Sequence, residues 1–484
     1  MSSHVVHAKM LIGGEWVDGA THFEVRNPAR PADVVGTAVR ARKEDVLEAI
    51  AAAKKTQLSW AKLSFVERAE MLEAGIAAYE EGIEQRGILY TQENGRVLAE
   101  ALGELRSVPI SQRLTLELAP KLDEGRQLAA ANGRTIVSYI PFGVVVSIVP
   151  WNAPVTLAFL QVVPALLAGN AVVVKPPESC PLAVTEALGV LASKLPQGLI
   201  NVVTGKSSEI GDTLTLHPDV AKIGFTGGIP AAKLIMSNAA QTIKNVTLEL
   251  GGNDAAIVLK DVDLGEQTMR RMAHGAFAAT GQVCMAVKRV YVHEEVAPAF
   301  IDAFSRVVDQ YVIGDGLKNG ITMGPMHTSS GRQGALALVE DSRKRGATVR
   351  SLGQVVNDVD FNEGYFVRPT IVTDIDDDAP LMVEEQFCPV LPITTFRDVN
   401  EVVARANASI FGLCASVWSR DVDAALPIAR RMEAGTVFVN THGVAGVNRK
   451  APYGGIKQSG IGSKASVEGV MEYLQLQTIT TVER

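Results

Sequence analysis

Alternation of apolar and polar positions divides the chain into elements before any chemistry is considered. Leu11 to Gly19 alternates with period two and is punctuated by Gly13-Gly14 and Asp18-Gly19, which predicts a short hairpin. Lys43 to Trp60 places Val46, Leu47, Ile50, Ala53 and Leu58 near one helical face, and Val66 to Ile88 continues as helix with Met71, Leu72, Ile76 and Ile83. These amphipathic stretches read as packing elements. Glu93-Asn94-Gly95-Arg96 interrupts the pattern, and a further helical stretch runs toward Leu118. Leu128 to Tyr139 alternates around Asn132-Gly133, which predicts a long hairpin that extends from the body and pairs with another subunit.

From Gly143 the pattern changes to β-branched runs separated by helices. Gly143 to Pro150 reads as a strand covered on both faces, Trp151-Asn152-Ala153-Pro154 as a turn, and Val155 to Leu167 as a helix. Gly169 to Lys175 forms a second buried strand, followed by Pro176-Pro177-Glu178. The alternation continues through helix Pro181 to Lys194, strand Ile200 to Gly205, helix Ser207 to Leu216, strand Ala221 to Gly228 and a helix from Pro230. Strands spaced by helices of this length imply βαβ units and a doubly wound parallel sheet. Ligands of such sheets bind beyond the carboxyl ends of the strands, where Asn152, Lys175 and Glu178 stand. A second βα series starts at Asp254 and runs to about Gly455. Tyr473 to Val482 alternates as a terminal strand with no neighbour in sequence, and is expected to pair elsewhere in the assembly.

The fold class is therefore α/β. Residues 1–122 and 142–250 make a doubly wound, dinucleotide-sized domain, 251–471 a second α/β domain, and 123–141 with 472–484 a small β oligomerisation unit. The fingerprint G-x-G-x-x-G follows none of the strands, which by itself argues against a nicotinamide cofactor. The Gly227-Gly228 turn before a helix still offers backbone N–H groups to a phosphate.

Bulk properties narrow the function class. The 484 residues are 47% hydrophobic and 20% charged with a net charge of −7, an ordinary globular balance with no basic excess for nucleic acid. From Thr135 to Lys175 no charged side chain intervenes, yet Pro141, Pro150, Pro154 and Pro164 interrupt the run, so it is not read as a membrane span. Cys180, Cys284, Cys388 and Cys414 lie far apart, with no Cys/His cluster at metal-ligand spacing, and no secretory leader is evident at Met1 to His7. These features place the chain in the reducing cytoplasm, without metal, membrane or nucleic-acid partners.

Ala279-Thr280-Gly281-Gln282-Val283-Cys284-Met285-Ala286 is a glycine-punctuated turn that delivers one cysteine between apolar segments. Alone, such a cysteine reads as a small buried hydrophobe. As a nucleophile it would need a lowered pKa or a base close by.

The ordered set Pro150-Trp151-Asn152-Ala153-Pro154, Lys175-Pro176-Pro177-Glu178, Phe225-Thr226-Gly227, Leu248-Glu249-Leu250-Gly251-Gly252, Gly281-Gln282-Val283-Cys284, Glu385-Gln386-Phe387 and Pro452-Tyr453-Gly454-Gly455 resembles the aldehyde dehydrogenase superfamily. The resemblance spans essentially the whole chain. It implies that the doubly wound domain binds NAD on a variant sheet that lacks the fingerprint, with NADP the lesser alternative. It also implies that Cys284 attacks the aldehyde carbon, that Asn152 and the Cys284 N–H stabilise the oxyanion, and that Glu249 activates the water that hydrolyses the thioester. A dry setting is expected to raise the Glu249 pKa. Lys175 and Glu178 match the pair that holds the adenosine ribose, and Glu385 and Phe387 the pair at the nicotinamide ribose and ring. Ile148, Pro150, Trp151, Thr226, Gly227 and Leu250 complete the implied cofactor contacts, and the hairpin and terminal strand imply a homodimer or homotetramer.

Three departures from the family pattern stand out. Asn253 replaces a common lysine, Gly228 with Ala232 removes a hydroxyl from the pyrophosphate turn, and Ser463-Lys464 replaces the commoner arginine-glutamate, so no role is carried onto 463–466. Ala153 implies a roomy tunnel, and Thr441 to Ala451, with His442, Asn448, Arg449 and Lys450, reads as a solvated basic loop. The rival readings are an acylating relative that passes the acyl group to coenzyme A, which Glu249 argues against, a catalytically silent scaffold, and an ester hydrolase.

Overall fold

The computed structural model describes residues 6–130, 133–357 and 359–482. Asn132 of the expected hairpin turn lies outside them. Two large sheets organise the chain. In the first, strands Asn245–Glu249, Val220–Thr226, Val144–Ile148, Ala171–Lys175 and Ile200–Val202 lie side by side and parallel, in that order. Chain order runs one way from Val144–Ile148 through Ala171–Lys175 and the other way through Val220–Thr226. The switch point between Val144–Ile148 and Val220–Thr226 opens the crevice in which doubly wound sheets take ligands. The hairpin Met10–Ile12 with Glu15–Val17 extends one edge antiparallel, as its sequence predicts, and the short strand Gly460–Ile461 closes the other.

The second sheet runs Thr348–Ser351, Thr370–Thr373, Val390–Phe396, Val287–His293, Asp254–Val258, Cys414–Trp418 and Thr436–Val439, all parallel except the first. Its strand ends supply Cys284 and Glu385 to the crevice of the first. The α/β class read from the sequence holds.

Helix Pro154–Leu167 connects the crevice to the core. Pro154 occupies its first turn, where a missing N–H costs nothing, so the helix begins directly after Asn152-Ala153. Its last carbonyls would be orphaned in an apolar interior. The Trp60 indole donates to Leu166 O at 2.8 Å, the Arg68 guanidinium to Leu167 O at 2.8 Å, and the Gln57 amide to Gly169 O at 3.1 Å. Helices Lys43–Trp60 and Phe65–Glu80 thus hold this end as well as packing against it.

Two expectations are corrected. The single helix from Val66 to Ile88 is two helices, Phe65–Glu80 and Ile83–Asn94, because Glu81-Gly82 breaks the run and Gly82 caps the second. The terminal strand, expected to pair elsewhere in the assembly, is Leu474–Val482 and pairs antiparallel with Gly133–Pro141 of its own chain, from Leu474 opposite Pro141 to Val482 opposite Gly133. With Arg126–Ala130 on the other side of Gly133–Pro141, it forms a three-stranded sheet. No helix among the described residues is long and apolar enough to cross a membrane.

Candidate active site

Cys284 follows a backbone that few residues adopt. Ala279, Thr280 and Gly281 have φ of 49°, 60° and 72°, three left-handed residues in succession. For Ala279 and Thr280 that conformation costs about 1–2 kcal/mol each. At Gly281 a side chain is excluded outright, since a Cβ would stand 2.5 Å from Cys388 O. The turn is held by named contacts. Ala279 N–H donates to the Glu100 carboxylate at 3.1 Å, the Thr280 hydroxyl to Gly324 O at 3.0 Å, and the Lys288 ammonium to Gly281 O at 3.0 Å. The Gln282 side chain closes the turn onto Ala279 O at 3.0 Å while accepting from His327 N at 2.9 Å.

Two cavities meet at the cysteine. One, of about 210 Å³, is lined by Pro150, Trp151, Asn152, Thr226, Gly227, Glu249, Leu250, Cys284, Glu385 and Phe387, together with Gly228 and Gly251. The other, of about 170 Å³, is walled by Ala153, Leu157, Leu160, Val283, Met285, Val444, Val447 and Tyr453, with Ser107, Ser111, Thr115, Thr156, Arg449, Lys464 and Ala465. Their linings share three residues, Asn152, Glu249 and Cys284. Ten of the thirteen site residues expected from sequence therefore border the first cavity. Ile148, Lys175 and Glu178 do not. Ile148 and Lys175 are register partners at the ends of adjacent strands, and Glu178 follows in the next loop.

The electrostatics favour a stored thiol. Burial pushes the Cys284 thiol well above its usual value, and the Glu249, Glu385 and Asp254 carboxylates push in the same direction, opposed by the Lys288 ammonium. Cys284 Sγ lies 3.9 Å from Glu249 Oε1. The other Glu249 oxygen is bound by the Lys464 ammonium, a contact for which the sequence reading assigned nothing. Asn152 lies beside Cys284, its amide donating to Gln282 O at 3.1 Å.

The Trp151-Asn152 turn is fixed from behind by Asn94 and Arg96, which the sequence marks only as a helix break, and by Tyr90. Asn94 donates to Trp151 O at 2.8 Å, while Arg96 and Tyr90 donate to Asn152 O at 2.5 and 3.2 Å. His327 stacks on Trp151 with ring centroids 4.4 Å apart, and Phe387 meets the indole edge-on at 5.7 Å. The His327 ring contacts Asn94 O at 3.0 Å and the Ser179 hydroxyl at 2.7 Å.

Three other expected residues have distinct settings. Lys175 is buried and donates to Pro176 O at 3.2 Å; burial lowers its pKa to about 8, opposed by Glu178. Glu385 accepts from Gly252 N at 3.1 Å, and a Cβ on Gly251 would come within 2.0 Å of its carboxylate, so only glycine lets it approach. Burial raises its pKa, with Lys288 opposing. Asn253, at the family's lysine position, donates to Met382 O at 2.8 Å. Arg449 lines the second cavity, whereas His442 of the same loop is buried against Ser416 at 2.9 Å. Folding also brings His7, Asp18 and His22 together at the surface, where both rings bond the carboxylate, at 3.1 and 2.8 Å.

A crevice at the switch point of a doubly wound sheet, meeting a second cavity at a cysteine and a carboxylate, defines a nucleotide-linked enzyme acting on a carbon electrophile. The aldehyde dehydrogenase family model matches residues 16–479, and the chain belongs to that family of oxidoreductases. It is 35% identical over 479 residues to a betaine aldehyde dehydrogenase of Rhizobium etli, covering 98% of this chain and 96% of that one. It is 34% identical over 474 residues to a 3-sulfolactaldehyde dehydrogenase of Pseudomonas putida, covering 97% and 96%. The NAD+ complex of an aldehyde dehydrogenase from Bacillus cereus superposes with a TM-score of 0.93 at 32% identity, covering 99% of this chain and 97% of that one.

His327 gives this site an acid sensitivity. Burial lowers its pKa from 6.5 to about 4, with the Arg96 cation adding to the effect and the bond to Asn94 O opposing it. The folded form thus holds a neutral ring, whose contribution is complete above pH 6.5 and lost as pH falls toward 4. We expect stability to drop by on the order of 3 kcal/mol across that window from this group. The His327→Gln variant should show a shallower fall in urea midpoint between pH 7 and 4.5; an unchanged slope would remove His327 as the cause.

Proposed function

We propose that the chain oxidises an aldehyde to the carboxylate with NAD, through a thiohemiacetal and a thioester on Cys284. The observation that carries this reading is that the two cavities share only Asn152, Glu249 and Cys284 among their lining residues. Glu249 Oε1 takes the thiol proton as the sulfur attacks the carbonyl carbon. Negative charge on the oxygen is met by the Asn152 amide and the Cys284 N–H. NAD, when bound, supplies the hydride acceptor that turns the tetrahedral adduct into a thioester. Glu249 passes that first proton to solvent, and as a carboxylate again it removes a proton from water as the water oxygen bonds to the acyl carbon; the C–S bond breaks, the acid is released, and the thiolate takes back a proton from Glu249.

The residues present fit the dinucleotide. Trp151 and Phe387 offer flat apolar faces, the Glu385 carboxylate and the Lys175 ammonium suit ribose hydroxyls, and Gly227-Gly228 precedes the helix Ile229–Ala240 at the phosphate position. The Glu178 carboxylate at the strand end disfavours a 2′-phosphate, which supports NAD over NADP. Cys284→Ala should abolish NADH production while retaining NAD-induced quenching of tryptophan fluorescence. Glu249→Gln, which removes the base for both the thiol and the water, should give no NADH burst and lower turnover about 10²- to 10⁴-fold. Turnover that needs coenzyme A would instead favour the acylating alternative, and undiminished turnover in Cys284→Ala would sink the reading.

The second cavity supports an aldehyde with an apolar body rather than a quaternary ammonium group such as betaine aldehyde carries. Its walls are aliphatic, it has one aromatic residue, Tyr453, where a cation cage needs several, and its mouth carries Arg449. Among the described residues no carboxylate pairs with that guanidinium. We expect kcat/KM for hexanal or benzaldehyde to exceed that for betaine aldehyde by at least about 10-fold, since burying an unpaired cation costs more than 1.4 kcal/mol. The reverse order in an NADH-absorbance assay would refute it.

We also propose a homodimer or homotetramer joined through the three-stranded sheet. Leu128, Ile140, Leu476 and Ile479 are exposed there, and both outer strands have free edges. Light scattering should give two or four chains per particle, and Leu476→Asp should lower that number; a monomer at micromolar concentration would exclude it. The four free thiols suit a cytoplasmic setting.

A further inference from the structure

Lys464 enters the site where the resembled pattern carries an acid, and it is buried with its charge. Its side chain is 6% exposed and that of Glu249 5%. The ammonium binds Glu249 Oε2 and the Thr226 hydroxyl, the latter at 2.6 Å, and Thr226 in turn lies 3.4 Å from the same carboxylate oxygen. Strand pairing sets Thr226 beside Glu249, because the two are register partners on adjacent parallel strands. Gln161 reaches Thr226 Oγ1 at 3.3 Å and accepts from Ser147 at 2.8 Å, so the network continues into the core with each side chain held by the next.

The backbone around Lys464 is under constraint as well. Its N–H donates to Tyr453 O at 2.7 Å and its carbonyl accepts from Tyr453 N at 2.9 Å, which ties it to the wall of the second cavity. Directly after it, Ala465 and Ser466 have φ of 58° and 51°, left-handed conformations that non-glycine residues keep only when their surroundings impose them. A buried ion pair is weak evidence for stability, since desolvation consumes most of the Coulombic gain. Two strained residues beside a buried pair at the reacting centre therefore point to function.

We propose that Lys464 is the positioning residue of the general base. It binds one oxygen of Glu249 and, with Thr226, fixes the carboxylate rotamer so that Oε1 alone faces Cys284. The same fixed oxygen then faces the water that attacks the thioester. Lys464 adds no covalent step; the proton moves from sulfur to Oε1 and on to solvent, and later a proton moves from water to Oε1. This rests on Glu249 being the base of the proposed function.

The test is Lys464→Met and Lys464→Arg in the full-length enzyme, with kcat, both KM values and the pre-steady-state NADH trace. Loss of orientation should lower kcat by about 100-fold and leave the KM values for aldehyde and NAD within about threefold. It should also expose an NADH burst of about one per active site, because hydrolysis of the thioester becomes the slow step. Lys464→Arg should recover part of kcat. In Glu249→Gln, adding Lys464→Met should cause little further loss, since the group it orients is already gone. Unchanged kcat with no burst would make the pair a packing feature and overturn the proposal. A rise in KM for aldehyde alone would overturn it in favour of substrate contact, as would full additivity in the double variant. Where Lys464→Met fails to fold by circular dichroism, Thr226→Val, which removes the other partner of the ammonium, takes its place with the same expected burst. Failure of the underlying reading is distinguishable, because wild-type enzyme would then yield no NADH with any aldehyde.

Discussion

Three successive left-handed residues, Ala279, Thr280 and Gly281, are the constraint on which the rest of the site depends. The chain must leave helix Glu266–Phe277, reverse, and enter strand Val287–His293 within ten residues while presenting a cysteine sideways. No ordinary turn does that in so few positions. The cost, about 2–4 kcal/mol for the two non-glycine residues, is met by bonds from elements far away in the chain. Glu100 comes from helix Leu98–Leu116, Gly324 and His327 from the segment before helix Ser329–Lys344, and Lys288 from the strand that follows. Nucleophile placement is therefore coupled to folding of the whole chain, and the strain sits where geometry matters most.

The second organising fact is the density of buried charge. Glu249, Glu385, Asp254, Lys175, Lys288 and Lys464 are all drawn into or against one crevice, and nearly all are satisfied by carbonyls, backbone N–H groups or each other. Burial, reinforced by the Glu249, Glu385 and Asp254 carboxylates, holds the thiol protonated, which in the proposed function keeps it inert until a base takes its proton. A free thiolate there would react with any electrophile, whereas in the proposed function a stored thiol reacts only when Glu249 and a carbonyl carbon are both within reach. Lys288 illustrates the economy. Its ammonium lies over the Phe387 ring at 4.9 Å and spends its bonds on Gly281 O and Gln386 O, so it holds two loops together more than it ionises Cys284.

What sequence could deliver follows from how local each signal is. β-branched runs such as Val144–Ile148 and Ala171–Lys175 declare themselves because they are buried on both faces, and helix Ser207–Leu216 has the boundaries its pattern predicts. Cys284, Glu249 and Asn152 were legible only as members of an ordered set of motifs. Lys464, His327, Asn94 and Arg96 were not legible, for one physical reason. Each acts through a partner more than fifty positions away, and nothing in its own neighbourhood distinguishes it from a surface or capping residue. The same holds for Leu474–Val482, whose pairing with Gly133–Pro141 no local pattern encodes. The helix break at Glu81-Gly82 was missed because apolar spacing continues through it.

The contrast between legible chemistry and illegible substrate has the same origin. Groups that move protons must sit within a few tenths of an ångström of the reacting atoms, so residue type and spacing are tightly restricted. The tunnel wall is assembled from helix Leu98–Leu116, helix Pro154–Leu167, the segment around Val283 and Met285, and the loop bearing Val444, Val447 and Arg449. Each contributes under a much weaker demand, to be apolar and of suitable volume, which many side chains meet at little cost. Relatives of nearly equal similarity can therefore carry different aldehydes in their names, as the Rhizobium and Pseudomonas proteins do. Selectivity then rests on the few wall residues that are not interchangeable. Under the proposed function those are Arg449, whose guanidinium meets no carboxylate among the described residues, and Ala153 with its small side chain, since a charge or a missing ring at the wall changes what can be desolvated there.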